Sequence, residues 1–463
     1  MSTRRDFIKA AGISAVGWIM SGAVANPKSA VEKKPNIIFI LADDLGWAEL
    51  GCYGNTFNET PNLDKLAKEG MRFTDAYAAA PVCSPYRAAL MTGQHPARIG
   101  ITDYLRPNDK NHLSTHYVTV AEALKNAGYA TGIIGKWHLT GYANHGAMEF
   151  PPAMHGFDET IVSENRGIGG GSYFHPYHFN REIQKLLGGK EYLIDRCNLE
   201  AVEFIERHKD SPFFLYLSHY AVHTRLNGKP ELVAEFEKKP GSGKGFKARR
   251  NNPHLAAQLK SIDEGVGMII NKLDELGMSN DTILVFTGDN GGEDRVTSNA
   301  PLRAGKSTLY EGGIRVPLIV RYPKIVSAGT VCKTPTSNID FYPTLCQVAG
   351  AWQDSQHDCD GVSILPLLKN PNYQLKRKTF YWHYPLDKPH FLGGRSSGAI
   401  RKGGWKLIEY FDTGKKELYN LADDLSEKNN LASKNPEKVA ELHGLLKDWR
   451  KEVGAKIPDE QSG

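Results

Sequence analysis

Several features are missing from the 463-residue sequence, and each absence narrows what the chain can be. No apolar stretch reaches the roughly 20 residues that a membrane span needs. The nearest candidate, Ala10 to Val24, is short and interrupted by Gly and Ser, which argues against a stable membrane anchor. The six cysteines, Cys52, Cys83, Cys197, Cys332, Cys346 and Cys359, lack the paired spacing of a zinc module and are too sparse for a dense disulfide framework. If Cys83 is withdrawn for chemistry, at least one of the remaining five is unpaired, and the sequence does not choose among pairings. Charge of one sign is also lacking. A net charge of +5 is too weak and dispersed to argue for nucleic acid, although it does not oppose an anionic substrate. No internal repeat is visible. What remains, 40% hydrophobic and 24% charged residues, is the balance of an ordinary globular protein, long enough for one large domain and a smaller one.

The first residues carry an address. Ser2-Thr3-Arg4-Arg5-Asp6-Phe7-Ile8-Lys9 resembles the bacterial twin-arginine (Tat) export signal, and Ala23-Val24-Ala25 offers the small residues a signal peptidase needs. The expectation is a signal peptide over 1–25, a linker over 26–34, passage through the Tat machinery, and residence in the periplasm or outside the cell.

Next comes "PNIIFILADD", whose unbroken apolar run Ile37 to Ala42 reads as a strand buried on both faces. Helical spacing closed by a glycine and followed by an apolar strand recurs in "TVAEALKNAGYATGIIGKWHL". The same succession of helix and strand returns in "NLEAVEFIERHKDSPFFLYLSHY" and in "LAAQLKSIDEGVGMIINKLDELGMSNDTILVFTGDN". This alternation predicts an α/β domain over 35–369, its large, mixed but mostly parallel sheet sandwiched by helices. Beyond it, "KTFYWHY", "GAIRKGGWKLIEYF" and "KELYNL" read as short antiparallel strands, and "NPEKVAELHGLLKDWRKEVG" as one amphipathic helix. They predict a smaller α+β domain over 370–463.

Two strands end in oxygen ligands, Asp43-Asp44 after "IIFILA" and Asp289-Asn290 after "TILVFTG". Ligands of open α/β sheets bind beyond the carboxyl ends of the strands, so both clusters should face one crevice. Either pair alone reads as helix caps or turn residues. Two such pairs, with no His or Cys among them, suit Ca2+ or Mg2+ rather than zinc. Lys136 and His138 follow another strand and leave on one face if strand geometry persists. His223 lies beyond "PFFLYLSHY", and Lys306 sits in "LRAGKSTLYEGG". Together these describe a cation flanked by positive or proton-donating groups, a site for a tetrahedral oxyanion. In "VCSPYRAALMTG", Ser84 reads as a helix N-cap and Pro85 as its first residue, which sets Cys83 just ahead of a helix start with Arg87 in the first turn. A cysteine there can pack in a core, attack as a thiolate, or be modified.

These motifs resemble the formylglycine-dependent sulfatases of the alkaline phosphatase superfamily. Cys83-Ser84-Pro85-Tyr86-Arg87 matches the family's Cys-x-Pro-x-Arg signature, and "ALMTGQHPARIG", "GKWHL", "FTGDNGG" and "LRAGKSTLYEGGIRVPLIV" match further blocks in order, from about Pro35 to the C-terminal helix. The resemblance implies that a maturation enzyme oxidises Cys83 to formylglycine, whose hydrate attacks sulfur and later expels sulfate. It implies Ca2+, with Mg2+ as the alternative, held by Asp43, Asp44, Asp289, Asn290 and the modified Cys83. Arg87 would steady the diol, Lys136, His223 and Lys306 would bind sulfate, His138 would take the diol proton, and His223 or Lys306 would protonate the leaving oxygen. The chain departs from the family at Arg225, where a proline commonly follows His-Thr.

The resemblance and the export signal together suggest a sulfated glycan as substrate. Candidate contacts are Arg225 with Arg166, His175 and His178 in "ENRGIGGGSYFHPYHF", beside the basic segment 235–254 and "YPLDKPHFLGGR" (384–395). A phosphatase or phosphodiesterase of the same superfamily, a cysteine hydrolase, and a non-catalytic glycan binder are the rival readings.

Overall fold

The computed structural model describes residues 33–106, 109–140, 150–163, 173–176, 191–351 and 357–458. The twin-arginine segment, Arg166 and His178 lie outside these residues.

Among them the strands are β1 Asn36–Ala42, β2 Met71–Tyr77, β3 Ala130–Gly135, β4 Glu159–Val162, β5 Phe213–Ser218, β6 Thr282–Gly288, β7 Arg315–Arg321, β8 Thr330–Cys332, β9 Thr336–Ser337, β10 Thr379–Tyr384, β11 Ser397–Lys402, β12 Trp405–Tyr410 and β13 Lys416–Asn420. The first nine form one sheet in the order β4-β3-β5-β1-β6-β7-β2-β8, with β9 also pairing β2. Only β7 runs against its neighbours β6 and β2, and the other pairings are parallel. β1 lies near the middle. Its Ile37, Phe39 and Leu41 enter one apolar core and its Ile38, Ile40 and Ala42 the other. Burial on both faces explains why the strand reads as a continuous apolar run rather than an alternating one. The helices Pro61–Glu69, Leu193–Arg207 and Pro253–Glu275 supply Leu63, Leu66, Phe204, Leu259 and Ile262 to the second core. The Val120–Asn126 and Phe341–Ala349 helices cover the opposite face with Val120, Leu124, Phe341 and Leu345.

Strands β10 to β13 form the expected antiparallel meander. One face, Ile400, Leu407 and Leu418, packs on Leu442, Leu446 and Trp449 of the Pro436–Glu452 helix. The other, with Trp382, Ala399, Ile408 and Tyr419, packs on Tyr77, Val82, Leu309 and Ile314. The Trp382 indole donates to the Ala78 carbonyl at 2.7 Å. Beneath this contact lies a fully buried ion cluster. Lys406 Nζ stands 2.9 Å from carboxylate oxygens of both Glu311 and Glu427, and Glu427 in turn accepts the backbone N–H of Glu311 at 2.7 Å. No helix among the described residues is long and apolar enough to cross a membrane.

Two local expectations are corrected. The helix after β2 begins at Cys83, with Val82 as N-cap, not at Pro85. Ser84 does not cap it because its hydroxyl accepts the Leu105 N–H at 3.0 Å instead. β3 stops at Gly135, so strand geometry does not carry Lys136 and His138. The chain turns there with Gly135 at φ 105°, and a Cβ at that position would stand 1.9 Å from the Ser218 carbonyl oxygen.

Candidate active site

The parallel strands β1, β2, β3, β5 and β6 all point their carboxyl ends to one edge, and the reversed β7 begins there. The loops leaving or entering that edge carry Asp43 and Asp44 from β1, Cys83 after β2, Lys136 and His138 from β3, His223 from β5, Asp289 and Asn290 from β6, and Lys306 ahead of β7. Topology alone thus gathers residues spread over more than half of the chain.

At the centre, carboxylate oxygens of Asp43, Asp44 and Asp289 lie within 4.8 Å of one another, all buried. Asn290 Nδ2 donates to Asp44 Oδ1 at 2.8 Å and to the Gly291 carbonyl at 3.0 Å, which turns its Oδ1 the other way. Asn290 Oδ1 and Asp43 Oδ1 are both buried and neither accepts a hydrogen bond. Orphaned buried oxygens are rare and costly. Here they belong to a set of hard ligands that could hold a divalent cation. Asp44 adopts φ 58° and His138 φ 57°, left-handed conformations that non-glycine residues rarely take and that cluster at functional sites.

Cations surround the carboxylates. Lys136 Nζ reaches Asp43 Oδ2 at 2.6 Å, and Lys306 Nζ reaches Asp44 Oδ2 at 2.7 Å. Arg87 bridges three elements: Nη2 donates to Asp289 Oδ2 at 2.9 Å, and Nη1 to the Lys136 carbonyl at 3.0 Å and the Ser218 hydroxyl at 2.5 Å. Burial opposes ionisation of Asp43, yet Lys136, His223, Arg87 and Lys306 hold it well below the usual carboxylate range. For Asp44 the same burial cost is outweighed by Lys306 and His223. Asp289 goes the other way, raised by burial and then by its neighbour Asp43. Asp43 and Asp289 still repel each other within this dry pocket, a repulsion that a bound cation would relieve.

Cys83, buried in the first turn of its helix, presents Sγ to His138 Nδ1 at 3.2 Å. His138 Nε2 lies 2.9 Å from the Leu105 carbonyl oxygen. A carbonyl only accepts, so Nε2 carries the proton and Nδ1 turns its lone pair to Cys83. His223 is fixed in the same way, with Nδ1 at 2.5 Å from the Thr224 carbonyl and Nε2 at 3.6 Å from Asp44 Oδ2. Burial, then Lys306, lowers its pKa. The structure therefore brings together Asp43, Asp44, Cys83, Arg87, Lys136, His138, His223, Asp289, Asn290 and Lys306. Two clefts flank them. One, of about 650 Å3, lies between Gly100–Asn111 and Pro385–Phe391 and shares Leu105 with the His138 contact. The other, of about 880 Å3, begins at Thr224 and Arg225. His175 lies two residues past Tyr173, whose hydroxyl donates to the carbonyls of Tyr220 at 3.0 Å and His223 at 3.3 Å.

Several supporting groups escaped the sequence reading. Ser218, the polar last residue of the apolar run "FFLYLS", carried a signal like that of Asp43. The Leu105 carbonyl and the Tyr173 hydroxyl carried none, because their roles depend on contacts distant in sequence.

A doubly covered α/β sheet with an oxygen-rich, cation-ringed pocket at its carboxyl edge defines the class: a hydrolase-type site for a tetrahedral oxyanion. Residues 35–351 match the sulfatase family, and residues 304–452 match the C-terminal region of N-sulphoglucosamine sulphohydrolase. The chain is 32% identical to human steryl-sulfatase, with 77% of this chain and 73% of that protein covered. It is 32% identical to mouse N-acetylgalactosamine-6-sulfatase, covering 91% and 79%. It also resembles the solved structure of Ps i-CgsB in complex with k-i-k-neocarrahexaose, with a TM-score of 0.77, 32% identity, and 90% and 93% of the two chains covered. A protein solved in complex with its substrate, D-glucosamine-2-N,6-O-disulfate, superimposes with a TM-score of 0.75 at 25% identity, covering 93% and 100%. The chain belongs to the sulfatase family of the alkaline phosphatase superfamily.

Proposed function

We propose that this protein hydrolyses a sulfate ester on a carbohydrate, acting at the end of an oligosaccharide or polysaccharide fragment, through formylglycine made from Cys83. The observation that carries the reading is the placement of Cys83: it opens a helix, faces His138, and stands in a pocket ringed by Arg87, Lys136, His223 and Lys306 beside Asp43, Asp44, Asp289 and Asn290. The relatives that act on sulfated sugars support the substrate class.

Asp43, Asp44, Asp289 and Asn290, together with modified residue 83, would hold Ca2+, or Mg2+ in its place. When bound, such a cation polarises a sulfate oxygen and favours ionisation of an adjacent hydroxyl. Matured residue 83 supplies the nucleophile, one hydroxyl of its aldehyde hydrate. Arg87, anchored at three points, holds its guanidinium where it steadies oxygens on residue 83. Lys136 and Lys306 bind sulfate oxygens and offset the charge that builds on them. His138, unprotonated at Nδ1, takes a proton from the second hydroxyl as sulfate is released. His223 or Lys306, which both flank Asp44, supplies the proton to the departing sugar oxygen. The twin-arginine stretch supports export, so a periplasmic or secreted enzyme would meet extracellular glycans.

The test is co-expression with a formylglycine-generating enzyme, peptide mass spectrometry across Cys83, and a screen of defined sulfated saccharides. Conversion of Cys83 with turnover of a sulfated sugar is expected. A reactive free thiol at residue 83 in the active protein, or faster turnover of phosphate esters, would overturn the reading.

A further inference from the structure

Sulfate chemistry at Cys83 does not explain the 880 Å3 cleft on the His223 side. Its wall carries Arg225, Lys247, Arg249 and Arg295 over an apolar floor of Leu226, Phe246 and Val296. Of its lining residues only Glu293 is acidic, and that carboxylate is already occupied by Arg295 at 2.6 Å and the Thr224 hydroxyl at 2.8 Å. Two cations, Arg225 and Lys247, are left without a counter-charge. Arg225 is exposed and has neither an ion-pair nor a hydrogen-bond partner among the described residues. Lys247 only overlies the Phe246 ring, 5.6 Å from its centroid, while Arg249 donates Nε to the Asp294 carbonyl at 2.5 Å and shares its charge with the half-buried Asp294 carboxylate at the rim. A cleft lined by one sign of charge over low-dielectric walls focuses potential on a ligand of the other sign. Phe246, 52% exposed, offers a flat apolar face beside these charges.

The position of the cleft matters as much as its charge. Thr224 lines it, and the residue before it, His223, stands 3.6 Å from Asp44. The other nitrogen of the same ring, Nδ1, lies 2.5 Å from the Thr224 carbonyl, so a single imidazole separates the cleft from the carboxylate cluster. A glycan whose sulfate ester reached Cys83 would lay its next sugar there.

We propose that this cleft is a second anion subsite, which receives a sulfate or carboxylate on the sugar next to the one being desulfated and so selects polyanionic oligosaccharides over singly charged ones. The proposal rests on reading the Cys83 centre as a sulfatase site. Arg225, Lys247 and Arg249 bind the second anion, while Phe246 and Leu226 cover the apolar face of the ring that bears it.

The test uses the matured full-length enzyme, its Lys247→Gln/Arg249→Gln variant, and four substrates: a small aryl sulfate, a monosulfated disaccharide, the same disaccharide with a second sulfate on the neighbouring sugar, and its counterpart with a uronate there. The double variant is expected to lower kcat/KM on the doubly charged disaccharides about tenfold relative to the aryl ester, chiefly through KM. The wild-type preference for them should fade as salt rises. The sulfate and uronate arms distinguish which anion is taken. In parallel, calorimetric binding of the same saccharides to Cys83→Ala protein reads the subsite without turnover. Hydrolysis with no preference for a second anion, and binding indifferent to it, overturn the subsite while the sulfatase reading stands. Binding that depends on the second anion and on Lys247 and Arg249, without hydrolysis of any sulfate ester by the matured enzyme, supports the subsite and overturns that reading.

Discussion

Cys83 Sγ and His138 Nδ1 face each other at 3.2 Å, and the opposite ring nitrogen of His138 is tied to the Leu105 carbonyl at 2.9 Å. The imidazole is held in one tautomer, with its basic nitrogen against residue 83. His138→Ala should therefore lower kcat by about 10²- to 10⁴-fold, the range for loss of a positioned base. Mass spectrometry should find residue 83 still converted in the variant. An unchanged kcat would remove His138 from the proton path.

The unbonded oxygens Asp43 Oδ1 and Asn290 Oδ1 predict a response to metal. Chelation should abolish activity and lower the midpoint of thermal unfolding, and Ca2+ should restore both. At a hundredfold excess over Kd the ion adds about 2.7 kcal/mol of stability by mass action. Asp289→Asn should remove most of that Ca2+-dependent shift, as read by differential scanning fluorimetry.

Lys406, between Glu311 and Glu427, tests how the small sheet is held to the large one. Lys406→Met leaves Glu427 buried without its cation, while Glu311 keeps Arg315 at 3.2 Å, and should destabilise the protein by about 3–5 kcal/mol in chemical denaturation. Adding Glu427→Gln should recover part of the loss, because the stranded charge is then gone.

Acid sensitivity should come from neutral histidines. Burial lowers His95, His155 and His383 to about 4 each, so the native chain refuses protons that the unfolded chain accepts near 6.5. Their contribution to stability is complete above about pH 6.5 and is lost as the pH falls towards 4. His383→Gln should flatten the dependence of unfolding free energy on pH across that interval.

Much of this was legible in the chain. β1 announced itself through an unbroken apolar run because both of its faces are covered, and Asp43 and Asp289 were readable because a charge directly after such a run marks the carboxyl edge of a sheet. The local geometry was less legible. The helix at Cys83 starts two residues earlier than expected because Ser84, a good cap by type, is drawn to Leu105, a partner visible only in three dimensions. Lys136 and His138 were paired by strand alternation, yet they reach the site by a turn at Gly135 that the close approach of Ser218 imposes. Residue types thus foretold the chemistry, while long-range contacts set the exact aim of each side chain.

The apolar contact of the small sheet with Val82 and Leu309 bears on how the protein is made. Val82 immediately precedes Cys83, and Leu309 lies three residues after Lys306, so the segments that carry these two residues rest on strands synthesised after every reactive side chain. A polypeptide ending before β10 carries every reactive side chain and lacks the apolar face on which Val82 and Leu309 rest.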